Sequence, residues 1–157
     1  MIKAPNPARF ISLSKEQFKK NGLFINDSKL KQIKSFPKND LTEIMFENLT
    51  LKVSDWLNNG LDFNTMVTIS RGNIEGFAAA AFQYRLFGDK KLLILLHKKL
   101  NIFLANIDKT NHNPLDVGHL LISLSLLNNW LNKELSKSQK KIIKDTVLDY
   151  ASELYSK

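Results

Sequence analysis

Apolar residues recur along most of this chain at three- and four-residue intervals, and the segments that carry them alternate in character. From Leu115 the sequence LDVGHLLISLSLLNNWLNKELSKSQKKIIKDTVLDYASELY divides into an almost wholly apolar helix, a short polar hinge and an amphipathic helix. Val117, Leu120, Leu121, Leu124, Leu127 and Leu131 form one stripe of the first helix. Leu115, Ile122 and Leu126 lie outside that stripe, so little of the helix is expected to face water. Ser136 and Gln139 have capping-box spacing and open the second helix, where Ile142, Ile143, Val147, Ala151 and Leu154 lie opposite the lysines. The pattern predicts an inner helix backed by an outer one.

The same order occurs upstream. A helix predicted from about Ile74 to Phe87 carries Ala78 to Ala81, which combine high helix propensity with little bulk and let neighbouring helices approach. Gly88 is a stop and Asp89 a cap. From Lys90 to about Asn106, Leu92, Leu93, Leu96, Leu100, Phe103 and Leu104 mark one face of an outer helix. Gly76 and Gly118 both open apolar helices, 42 residues apart. Two hairpins at that period point to a helical solenoid or toroid, with an architectural repeat and little sequence identity between copies.

Ahead of these hairpins, Asp40 and Glu43 have capping-box spacing and predict a helix to about Asn58, ended by Asn58, Asn59 and Gly60. Its apolar positions, Leu41, Ile44, Met45, Leu49, Val53, Trp56 and Leu57, read as core packing. Residues 1–37 read as a lead-in with Pro5 and Pro7, a short helix from Ser14 to Asn21, and another from Asp27 or Ser28 to about Lys34, closed by Pro37. The expected organisation is one all-α domain over residues 1–157.

Composition narrows the classes. The chain has 23 Lys and Arg against 15 Asp and Glu, for a formal charge of +8, which favours acidic partners. Its lysines are scattered, with pairs such as Lys90 and Lys91 or Lys98 and Lys99 but no run that resembles a basic arm, and most are expected where an outer helix faces water. They do not gather with aromatic residues into a groove, which disfavours nucleic acid. With no cysteine there is no disulfide or thiolate chemistry. No apolar run approaches the ~20 residues of a membrane span, and the first residues lack the apolar core of a secretory signal. The compartment stays open: cytoplasmic by default, periplasmic if a signal was removed.

The hinges also carry a resemblance. Trp130, Leu131, Leu135 and Ser136, with the helix running on to Tyr155, resemble the helical hairpin of heparinase II/III-like and alginate-lyase-like polysaccharide lyases. FQYRLFGDKKLL is similar to that family's L-x-G-D-x-x-Y-L hinge, and NPARFISLSKEQFKK to its opening segment. Asn128, Asn129 and Asn132 depart from it, standing where the family favours Tyr, Asp and Tyr. The resemblance implies the first part of an (α/α) toroid, a partial ring here, and β-elimination of uronic-acid polysaccharides. The family's catalytic Asn, His and Tyr residues lie on hairpins after the one that ends this sequence, so no catalytic residue is assigned and complete catalysis is not expected. The expected function is a carbohydrate-binding or scaffold segment; the alternative is a helical-repeat module for protein partners. A partial ring leaves an apolar flank, where self-association or a protein partner is expected.

In a toroid the loops that enter the inner helices share one end, where helix N-termini favour anions such as an acidic polysaccharide. Arg71, Glu75, His112, Asn113 and His119 are the substrate-binding candidates at that end. Arg71 can pair a carboxylate bidentately, and His112 and Asn113 can donate to sugar hydroxyls. Each has a structural alternative: a loop arginine, a helix-start carboxylate, a hydrogen-bonded interior histidine. The three histidines have no metal-ligand spacing, and no cofactor motif is present, so neither metal nor cofactor is expected.

Overall fold

A computed structural model describes residues 25–36, 39–59, 71–107 and 113–155. Every regular element among them is a helix: α1 (Asp27–Lys34), α2 (Asp40–Asn59), α3 (Arg71–Phe87), α4 (Lys90–Asn106), α5 (Pro114–Trp130) and α6 (Lys137–Tyr155). The fold is all-α, and none of these helices is long and apolar enough to cross a membrane. The chain divides into two compact units, Met1–Ser35 and Phe36–Lys157. In the first, α1 is capped by Asn26, whose Oδ1 accepts from the Lys29 amide at 2.9 Å. The helix expected over 14–21 and the lead-in before it lie outside the described residues.

In the second unit, caps set most helix boundaries. Asp89 Oδ1 accepts from the amides of Lys91 and Leu92 and opens α4, directly after Gly88, whose φ of +72° ends α3 in the left-handed region. Asn113 Oδ1 accepts from the Leu115 amide and opens α5, with Pro114 in the first turn. Ser136 and Gln139 form the expected reciprocal box at α6, at 3.0 and 3.1 Å. The cap of α2 falls one residue earlier than expected. Asn39 Oδ1, not Asp40, accepts from the Thr42 amide at 2.9 Å, and Thr42 Oγ1 in turn accepts from the Asn39 amide at 3.1 Å. The short Asn side chain reaches that amide, and Glu43 is not needed for the box. The start of α3 also differs, lying at Arg71 rather than Ile74, so Arg71 is helical and not in a loop.

The alternation of inner and outer helices is present. Helix α3 packs most extensively on α5 and also touches α2 and α4, while α6 covers α5. Helices α3 and α5 are parallel. His119 near the start of α5 meets Glu75 near the start of α3, and Trp130 at the end of α5 lies 5.4 Å, ring to ring, from Phe82. Helix α2 runs antiparallel to α3, because Trp56 near its end meets Phe77 while Phe46 near its start meets Phe87. Phe77, Leu96, Leu100, Phe103, Leu120, Leu124 and Leu127 are fully buried in the shared core. Burying each such side chain is worth about 1.5–3 kcal/mol relative to leaving it in water.

Two expectations fail at the surface. On α2, Leu49, Val53, Trp56 and Leu57 join the core, but Leu41, Ile44 and Met45 do not and are 67%, 51% and 62% exposed. Helix α3 covers only one arc of α2; Leu41 and Ile44 are turned away from it, and Met45 lies at its margin. On α5, Leu115 and Ile122 are exposed, so this inner helix shows water more apolar surface than expected. They lie on the side turned from the buried stripe of Val117, Leu120, Leu124 and Leu127.

Candidate functional site

Three of the five residues singled out from the sequence converge at the end from which α3 and α5 start. Glu75, one turn into α3, accepts from Arg71 Nε at 2.9 Å, an i,i+4 pair along the same helix. Its second oxygen accepts from Lys52 Nζ of α2 at 3.2 Å. His119 of α5 places Nδ1 3.4 Å from the oxygen that Arg71 holds. One carboxylate therefore gathers groups from three helices.

The electrostatics follow from that geometry. The Arg71 hydrogen bond, aided by Lys52, holds the Glu75 carboxyl below the usual carboxylate range against the opposing effect of desolvation. Glu75 is thus an ionised anchor, poorly suited to serve as an acid near neutral pH. Arg71 and Lys52 remain largely in water, with side chains 69% and 56% exposed. Together they leave the cluster with a net positive charge, and a protonated His119 adds to it.

Asn113 is elsewhere in role: its side-chain oxygen is occupied as the α5 cap. His112 lies outside the described residues. His97 is not part of the cluster. Its Nδ1 lies 3.0 Å from Gln139 Nε2, which also donates to Asn101 Oδ1 at 2.8 Å, so the cap of α6 is tied to α4.

Two contributions went unseen in the sequence. Lys52 reaches Glu75 across 23 positions, a contact that only the packing of α2 on α3 creates. Trp56 supports the same junction: its Nε1 donates to the Asn73 carbonyl at 3.0 Å, and its ring stands edge-on to Phe77. Lys99 lies over the Trp56 ring and donates to its carbonyl at 3.3 Å; partial burial pushes its ammonium pKa down. The periodic apolar residues announced a packed Trp56, but not these partners.

Among the described residues no group of three or more His, Cys, Asp or Glu side chains is arranged to hold a metal ion. The fold and the cluster define an all-helical protein of hairpins with an ion-paired junction at the start of its inner helices. No family model, no curated protein and no solved structure matches the chain.

Proposed function

We propose that this chain is a binding scaffold, an arc of an α/α toroid whose helical hairpins hold a surface for a protein partner. The observation that supports it most is on α2, where Leu41, Ile44, Met45 and Leu51 are all more than half exposed on one helix. Single exposed apolar residues are ordinary, but four within three turns of one helix concentrate apolar surface in the way an interaction surface does. The parallel inner helices and their outer partners support the arc. Binding of bis-ANS to the purified chain tests the reading. Fluorescence that falls in an Ile44→Ser/Leu51→Ser variant is the expected result, and equal fluorescence in the two proteins would refute an open apolar face.

A second reading is favoured by the exposed Arg71 and Lys52. Two cations beside the N-termini of α3 and α5 suit a carboxylate-bearing ligand. The resemblance to polysaccharide lyases makes uronic-acid polymers the class to try. On this reading alginate, heparin or hyaluronan binds and is not cleaved, and Arg71→Ala/Lys52→Ala weakens the binding. Ultraviolet absorbance of an unsaturated product, sustained and lost in His119→Ala, would show instead that the chain is catalytic.

A further inference from the structure

The outward face of α2 is acidic as well as apolar. In a chain of formal charge +8, α2 carries Asp40, Glu43, Glu47 and Asp55 against Lys52 alone. Leu41, Ile44, Asn48 and Leu51 follow one another at spacings of three, four and three, the seam of a helix that packs on another helix. Glu47 stands one turn from both Ile44 and Leu51, on the border of that seam. The matching partner is therefore a helix with exposed apolar residues bordered by cations.

Helix α4 has that chemistry. It contains Lys90, Lys91, Lys98 and Lys99 and no acidic residue. Ile94 and Leu95 are 67% and 46% exposed on its outer side, with Lys91 and Lys98 one turn to either side of them. Helix α6 is a poorer match, since Asp145, Asp149 and Glu153 interrupt its lysines. Pairing of α2 with its own copy is poorer still, because Asp40, Glu43 and Glu47 would face like charges.

We infer that the partner of α2 is a second copy of this chain, with the outward face of α2 in one copy seated on the outward face of α4 in the next. This rests on the reading of α2 as a docking surface. The contact is heterologous: after one pairing the first copy keeps its α4 face free and the second its α2 face, so assembly proceeds beyond the dimer unless a ring closes. The seam from Leu41 to Leu51 is about 15 Å long on one helix and buries less than the ~800 Å² per partner of a standard interface. Association is therefore weak, concentration-dependent and, because its charges border on water, sensitive to salt.

Sedimentation equilibrium of the full chain from micromolar to near-millimolar concentration, in low and high salt, tests the inference. The wild-type mass rises past that of a dimer in low salt, and the association constant falls about tenfold or more in high salt. Ile44→Ser/Leu51→Ser and Ile94→Ser/Leu95→Ser are each monomeric, yet an equimolar mixture of the two forms pairs and stops there, because each supplies the face the other lacks. Self-association of the α4 variant alone would overturn the inference in favour of α2 pairing with itself. A wild-type chain that stays monomeric throughout would also overturn it. In that case, bis-ANS fluorescence that still falls in the α2 variant leaves α2 a docking surface for another partner, whereas unchanged fluorescence removes both readings.

Discussion

Gly76 and Gly118 both lie in the second turn of an inner helix, but one residue out of register with each other, and their surroundings differ. The indole of Trp56 lies directly where a Cβ at Gly76 would be, and the Nε1 bond to Asn73 holds the ring there. Nothing lies within 4 Å of the corresponding point at Gly118. Gly76→Ala is therefore expected to cost about 1–3 kcal/mol through displacement of a buried ring. Gly118→Ala is expected to gain up to about 1 kcal/mol from helix propensity. Urea denaturation of both variants checks the contrast. The contribution of Glu75 to stability depends on pH. Its carboxyl pKa is depressed in the folded chain, so its contribution is present above the ordinary value of 4.5 and is lost as pH falls through the folded value. Glu75→Gln should lower stability by up to about 1 kcal/mol at pH 7, discounted for the exposure of Lys52 and Arg71. The difference from wild type should shrink as the medium is acidified below pH ~4. A difference that grows in acid would contradict the assigned sign.

At the scale of elements, the helices were legible because periodicity and caps act locally. Asp89, Asn113 and the Ser136–Gln139 box stand where short-range hydrogen bonding puts them, and Gly88 stops α3 as its left-handed φ requires. The faces were less legible. Spacing tells that Leu41, Ile44 and Met45 share a side of α2, but not that a neighbour covers that side, and here none of the core helices does. The candidate site was half legible: Arg71 and Glu75 are neighbours along one helix, whereas Lys52 and His119 join them only through the packing of α2 and α5 on α3. Gln139 shows how a local signal acquires a tertiary role. Its oxygen caps α6 while its nitrogen reaches Asn101 and His97 of α4. Gln139→Ala should thus cost about 1–2 kcal/mol, more than a surface cap residue alone, and thermal melts of Gln139→Ala and Asn101→Ala singly and together measure the coupling.

Across the second unit as a whole, α3 and α5 concentrate the buried apolar residues between them and their outer partners, and α2 is left with one face in the core and another in water. That second face is the centre of the functional reading, since a packed domain gains nothing from four large apolar side chains held in solvent. Its status can be measured directly in dilute solution, where a weak partner is absent. The denaturation midpoint of Ile44→Ser/Leu51→Ser, set beside that of wild type and of Leu124→Ala in the core, is the decisive comparison. For an open docking surface the α2 variant stays within about 0.5 kcal/mol of wild type, while Leu124→Ala loses about 2–5 kcal/mol. A loss in the α2 variant as large as that of Leu124→Ala would mean that the stripe belongs to the folded core and is no binding surface.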